Sequence, residues 1–125
     1  MADLVQERHG VQVLVCDPDG PLIASEQDAL DLIGAAFAGA EMVAVPAHRL
    51  DPRFFSLGTR FAGEVMQKFV NYRMPLVVLG DITAHLSESS ALRALVQESN
   101  QGAHVWFVDD LAALDNRLRD RRTAG

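Results

Sequence analysis

Phe61-Ala62-Gly63-Glu64-Val65-Met66-Gln67-Lys68-Phe69-Val70-Asn71 runs on through Tyr72-Arg73-Met74 to Pro75 and then to Leu76-Val77-Val78-Leu79. Phe61, Ala62, Val65, Met66, Phe69 and Val70 recur at three- and four-residue steps, which places them on one face of a helix. Arg60, Glu64, Gln67, Lys68 and Asn71 form the opposite stripe. Arg60–Glu64 and Glu64–Lys68 are four-residue pairs of opposite charge. Thr59 reads as the N-cap, with Gly58 allowing a sharp turn before it. Gly63 inside the helix costs roughly 1 kcal/mol against alanine, which suggests that another backbone packs close to it, with sequence drift as the other explanation. Pro75 cannot continue the helix, and the continuous apolar run after it reads as a buried parallel strand.

The same alternation extends in both directions. Met42–Val45 is a second buried strand closed by Pro46, and Val105–Val108 a third. Leu4–Arg8 and Val11–Cys16 flank His9-Gly10 as an antiparallel hairpin. Asp17-Pro18-Asp19-Gly20 is a turn, and Leu22-Ile23 resumes as strand. Ser25 caps a helix with Asp28 in the capping-box place; its apolar face is Ala29, Leu30, Ile33, Ala36 and Phe37, and Gly39 ends it. Asp51-Pro52 starts one helical turn through Phe55. Ser87, Ser89 or Ser90 caps a helix with Ala91, Leu92, Leu95 and Val96 inward, ended by Asn100 or Gly102. Asp109 or Asp110 caps the last helix, with Leu111, Leu114 and Leu118 inward. The expectation is a single α/β domain over residues 1–125: an N-terminal hairpin, then a mostly parallel sheet of four to five strands with alternating helices. Residues 116–125 read as a frayed tail.

Composition excludes several classes. Half of the residues are hydrophobic, so the chain folds around a core. A net charge of −6 argues against nucleic acid. The one basic cluster, Arg117, Arg119, Arg121 and Arg122, is diluted by Asp115 and Asp120 and reads as a solvated helix end. No run is long enough to span a membrane, and the acidic start Met1-Ala2-Asp3 is no secretory signal. The single Cys16 forms no internal disulfide, packs as a small hydrophobe and suits a reducing cytoplasm. Ten arginines against one lysine, with abundant alanine, read as the codon bias of a bacterial genome.

Two sets of residues are candidates for function. In open parallel sheets ligands sit beyond the carboxyl ends of the strands, here Cys16-Asp17, Pro46-Ala47-His48, Gly80-Asp81 and Asp109-Asp110. Asp17, Asp81 and Asp109 converging there would suit Mg²⁺. Asp17-Pro18-Asp19-Gly20 also resembles the aspartate-x-aspartate-glycine-threonine motif of haloacid-dehalogenase-type phosphatases. That resemblance implies attack by Asp17 and acid–base work by Asp19; Pro21 stands where the motif has threonine. The plain reading is a turn, with Asp81 and Asp109 as helix caps. His9, His48, His85 and His104 lack metal-ligand spacing, and neither a phosphate loop nor a nucleophile elbow is present. No cofactor is called for.

The second set is the polar stripe of the central helix, read either as a solvated face or as a recognition surface. As a surface it offers Thr59, Arg60, Glu64, Gln67, Lys68, Asn71 and Tyr72, with Glu98 and Asn100 near it. Gly58-Thr59-Arg60 offers free N–H groups to a small anion. A protein partner would contact Arg60, Gln67, Lys68, Asn71 and Tyr72; a homodimer is the other occupant the sequence leaves open.

Phe54-Phe55-Ser56-Leu57-Gly58-Thr59, Ala62-Gly63-Glu64, Gln67-Lys68-Phe69, Asn71-Tyr72, Gly80-Asp81, Glu98-Ser99-Asn100 and Gly102 together resemble the bacterial "domain of unknown function 4180" family. Leu30-Asp31-Leu32-Ile33 also fits it. The resemblance spans about Val11 to Leu118 and implies no activity. The order of elements is similar to the sulfate-transporter and anti-sigma-factor-antagonist (STAS) domain, at the level of topology. That likeness implies a regulatory, non-enzymatic module and places Thr59 where STAS domains carry a phosphorylatable serine, although the usual Asp-Ser-Ser/Thr-Gly pattern is absent.

Overall fold

A computed structural model describes the backbone of residues 3–124 and the side chains of residues 3–120. The chain opens with strands β1 (Leu4–Arg8) and β2 (Val11–Val15), then helix α1 (Glu26–Phe37) and strand β3 (Met42–Pro46). Three short helical turns, Ala47–Arg49, Pro52–Phe55 and Leu57–Thr59, lead to helix α2 (Phe61–Asn71) and strand β4 (Leu76–Leu79). Helices α3 (Thr83–Glu88) and α4 (Ser90–Gln101), strand β5 (Val105–Val108) and helix α5 (Leu111–Ala124) complete it.

The five strands lie in the order β1-β2-β3-β4-β5. β1 is antiparallel to β2, and every later pairing is parallel. His9 (φ 50°) and Gly10 (φ 82°) both take left-handed backbone, the two-residue turn whose twist suits a hairpin. Each parallel crossover then steps the same way across the sheet. With right-handed crossovers, that stacks α1, α2 and α3–α4 on one face and leaves the other to α5. The core divides accordingly. Leu14, Val43, Val45, Leu76, Val78 and Phe107 meet Ile33, Val65, Phe69 and Leu92 on the first face. Val13, Met42, Ala44, Val77 and Trp106 meet Leu114 and Leu118 on the second.

Local signals account for most helix ends. Ser25 Oγ accepts from Asp28 N at 3.1 Å, while Asp28 Oδ2 accepts from Ala24 N at 2.9 Å, one residue before the usual capping-box donor. Asp51 Oδ1 accepts from Arg53 N, Ser89 Oγ from Leu92 N and Asp110 Oδ1 from Ala113 N. Some expectations fail. Thr59 is not the N-cap of α2: Arg60, in left-handed backbone at φ 66°, holds that place. Thr59 Oγ1 does accept from Phe61 N at 3.3 Å. Helix α3 occupies a stretch in which the sequence marks no element of its own, ahead of the serines expected to cap the next helix. Phe37, Val70 and Ala91, expected inward, are exposed. Leu22-Ile23 gives a single bridge, Ile23 to Leu50, not a strand. Gly63 has no crowding neighbour: a Cβ there would meet nothing within 4 Å.

The end of α2 sets the start of β4. Met74 N donates to Phe69 O at 2.9 Å and Arg73 N to Val70 O at 3.0 Å, with Arg73 left-handed at φ 55°. This is the six-to-one, five-to-two closure that glycine ordinarily completes, and Met74 and Phe69 are both buried beneath it. Replacing Arg73 by glycine removes the cost of a side chain in left-handed backbone, against a gain in unfolded-chain entropy. Arg73→Gly is expected to stabilise the fold by about 0.5–1 kcal/mol, read as a rise of roughly 2–5 °C in thermal midpoint.

Candidate functional site

The loop before α2 is fixed by aromatic burial. Phe54 and Phe55 are buried and meet edge to face at 5.2 Å, Phe54 lies 6.4 Å from Phe107 of β5, and His85 of α3 stacks on Phe55 at 4.3 Å. Arg53 lies over the Phe61 ring at 4.5 Å. These contacts hold Leu57 and Arg60 beside the first turn of α2.

An open groove of about 760 Å³ follows the outer face of α2. Leu57, Gly63, Met66, Val70 and Leu95 of α4 give it apolar walls, and Glu26, Arg60, Glu64, Gln67 and Lys68 complete its lining. Of the residues expected to form a recognition surface, Arg60, Glu64, Gln67 and Lys68 therefore share one groove. Gln67 Nε2 donates to Asn71 Oδ1 at 2.7 Å. Lys68 Nζ lies 3.1 Å from Glu26 Oε1 of α1, an ion pair between helices that the four-residue spacing of Lys68 from Glu64 did not reveal. That hydrogen bond from Lys68 holds the Glu26 carboxyl below its ordinary value. Tyr72 instead meets Phe37 edge to face at 6.3 Å, beside a second depression of about 250 Å³ lined by Leu30, Ile33 and Gly34.

The remaining members are placed elsewhere or are tied to the backbone. The Thr59 hydroxyl is 2.8 Å from both Arg53 O and Ser56 O and accepts from Phe61 N. Of the N–H groups expected to meet an anion, Thr59 N donates to Ser56 O at 3.0 Å and Arg60 N to Leu57 O at 3.0 Å. Asn100 forms part of the β5 edge: its Oδ1 accepts from Phe107 N at 2.7 Å and its Nδ2 donates to Phe107 O at 3.2 Å. Glu98 is exposed on α4 and outside the groove lining.

The strand-end carboxylates do not assemble. Among the described residues, no three His, Cys, Asp or Glu side chains come together as a metal site. Asp17 Oδ1 accepts from Asp19 N at 2.8 Å, an Asx turn within the loop. Asp81 Oδ1 accepts from Thr83 N at 2.9 Å and Thr83 Oγ1 at 2.5 Å, which starts α3. His48 Nε2 is 2.5 Å from Pro18 O.

What organises this end of the sheet is Arg49, a residue the sequence does not single out. Its side chain is nearly sealed from solvent; Nε donates to Pro21 O at 2.9 Å, and Nη1 to Asp17 O at 3.1 Å and Asp3 Oδ1 at 3.0 Å. A buried guanidinium needs such partners, and the loop carbonyls supply them. Gly20 is required there, since a Cβ would sit 2.7 Å from Arg49 Cζ. Burial, with Asp3 alongside, pushes the neighbouring Cys16 thiol up to about 12, which keeps it in the thiol form. Arg117 also departs from the solvated-tail reading: it covers the Trp106 ring at 4.0 Å and donates to Asn100 O, and burial lowers its pKa.

The model of the family "Domain of unknown function (DUF4180)" matches residues 8–118, and the chain belongs to that family. No curated protein and no solved structure gives a match.

Two expectations follow from the site. Gly63→Ala adds a Cβ into open space on a helix and is expected to stabilise the fold by about 0.5–1 kcal/mol in chemical denaturation. The Asp51 carboxyl is held low by the Arg53 backbone N–H and side chain, and that of Asp81 by the Thr83 hydroxyl and N–H. A lowered folded pKa means that the native state binds fewer protons. The stabilisation is then complete above the ordinary value of 3.8 and is lost as pH falls through the lower folded values. Asp51→Asn with Asp81→Asn is expected to lower the thermal midpoint at neutral pH and to converge with the wild type on acidification, so that the fall in midpoint with pH is shallower in the variant.

Proposed function

We propose that this member of the DUF4180 family is a non-enzymatic binding module that receives an amphipathic helix of a protein partner along the outer face of α2. The carrying observation is Gly63: a glycine within a helix, open to solvent, in the lining of a groove with apolar walls. Fold stability favours alanine at such a position, whereas a docked helix can approach a bare backbone more closely than a substituted one. Leu57, Met66, Val70 and Leu95 offer an apolar stripe of the kind that anchors at i, i+3/i+4 and i+7 occupy. Arg60, Glu64 and Gln67 supply a polar rim of mixed sign, suited to setting register rather than to holding a single charged ligand. The STAS-like order of elements supports a regulatory role for such an exchange, by analogy of topology alone.

Lys68 is a poor probe of this surface, because its ion pair with Glu26 joins α1 to α2. Gly63→Leu fills the groove from an outward position and leaves the core untouched. Selection from a display library of amphipathic helical peptides is expected to yield binders that shift NMR signals of Leu57, Met66, Val70 and Leu95. Gly63→Leu is expected to weaken them at least about tenfold, the loss of roughly 1.4 kcal/mol. Binders that map elsewhere, or that ignore Gly63→Leu, would refute the proposal.

A further inference from the structure

The sheet has two edges, and the chain treats them differently. At β5 the Asn100 amide bonds both the N–H and the C=O of Phe107, as a sixth strand would. At β1 nothing among the described residues does the same. Gln12 N donates to Glu41 Oε2, Glu41 N to Gln12 O and Cys16 N to Ala44 O, so the backbones of Gln12 and Cys16 face β3. Alternation along the strand turns Leu14 the same way. Glu7 and Val5 lie opposite Gln12 and Leu14, so their own N–H and C=O groups point outward, away from β2. Among the described residues no hydrogen bond reaches those four groups.

Edge strands are ordinarily blunted by proline, lysine, a bulge or a cover. The stretch Leu4-Val5-Gln6-Glu7-Arg8 contains no proline or lysine, and its register with β2 is unbroken over five pairs. Its charges are engaged within the chain in part: Arg8 Nη1 donates to both carboxylate oxygens of Asp115, at 2.8 and 2.7 Å. Leu4 on one face of the sheet and Val5 on the other are 61% and 44% exposed. A regular, open edge of this kind, with Leu4 and Val5 exposed, offers a template for another strand.

We propose that β1 is the edge of a two-fold dimer, in which β1 of a second copy of this chain pairs antiparallel with it about Gln6. The charges select this register. Outward-facing residues must pair with outward-facing residues, so the axis passes through Val5, Gln6 or Glu7. An axis at Glu7 sets two carboxylates face to face, and one at Val5 sets Asp3 opposite Glu7. The axis at Gln6 sets Val5 against Glu7 twice, closes four ladder hydrogen bonds and lays each Leu4 over the stem of the opposing Arg8. Two-fold pairing uses the β1 edge of both copies, and at the far edge Asn100 occupies the outward N–H and C=O of Phe107, so pairing through β1 gives a closed dimer with one continuous sheet, not a filament.

Sedimentation equilibrium of the full chain over a concentration series tests this. The expected wild-type mass is twice that of one chain, falling to one chain on dilution. Glu7→Pro removes an outward N–H that takes no part in the hairpin, and is expected to give a monomer with an unchanged circular dichroism spectrum. Gln6→Cys provides a second reading should Glu7→Pro fail to fold. A non-hydrogen-bonded antiparallel pair has Cα atoms about 4.5 Å apart, within disulfide reach, so this variant is expected to form a linked dimer on mild oxidation. Leu4→Cys, four residues from its counterpart along the strands, is not expected to link, and native Cys16 is buried. A single-chain mass at every concentration overturns the proposal. So does a dimer that survives a folded Glu7→Pro, or a Gln6→Cys chain that links no faster than Leu4→Cys.

Discussion

The handedness of the βαβ crossover governs most of this molecule. Four parallel strands laid down in chain order give three crossovers of the same sense, which must all fall on one face. That face becomes a thick layer of α1, α2 and α3–α4 over the larger core. The other face receives only the helix left after β5, and Leu114 and Leu118 can seal only part of it. The uneven division sets what is exposed. α2 lies in the middle of a helical layer, with its inner stripe buried and its outer stripe flanked by α1 and α4. A groove along α2 is a consequence of that position, not of an unusual loop.

Where this regular scaffold ends, polar side chains stand in for missing backbone partners. Asn100 gives β5 the two hydrogen bonds that a neighbouring strand would give. Arg49 collects the carbonyls of Asp17 and Pro21, which lie in a turn with no strand to bond. Arg117 lies on Trp106 and reaches Asn100 O, so one side chain joins α5, β5 and the end of α4. In a structure without cystine cross-links among the described residues, these long-range contacts fix loops that apolar packing alone would leave loosely placed. Buried backbone groups and a buried guanidinium satisfy one another, and each would be costly alone.

The sequence made the strands and the principal helices legible because their signals are local. The 3.6-residue recurrence of Phe61, Val65 and Phe69, the apolar run Leu76–Leu79 and the His9-Gly10 turn each act within a few residues. Caps at Ser25 and Asp51 were legible for the same reason, whereas Ser89 and Asp110 were each one of several adjacent candidates among which the sequence did not choose. Arg49 was not, since its partners lie 28 to 46 residues away and two of them are carbonyls that no side-chain pattern marks. Helix α3 was not, because Thr83–Glu88 is too short for a period to emerge and none of its residues is fully buried. The carboxylates of Asp17 and Asp81 invited a catalytic reading, yet each first serves the turn of its own loop. Spacing grouped Arg60, Glu64, Gln67 and Lys68, which do line one groove. It put Met66 and Val70 on the inward face although both line that groove too, and it could not show that Lys68 turns to Glu26 on another helix.

Gly63 carries the clearest tension between stability and surface. Its place in α2 was readable as a cost, and packing against another part of the chain was the natural compensation. The structure removes that explanation, because a Cβ at Gly63 meets nothing. Gly34 of α1 repeats the pattern: it too is open, within a helix, beside a depression walled by Leu30 and Phe37. Two such positions, each roughly 1 kcal/mol less favourable than alanine, lie on the outer side of the same helical layer. Among the described residues nothing lies within 4 Å of a Cβ at either position. On the proposed reading the compensation comes from close approach by a partner, since a bare stretch of helix backbone next to exposed apolar side chains is suited to another polypeptide surface.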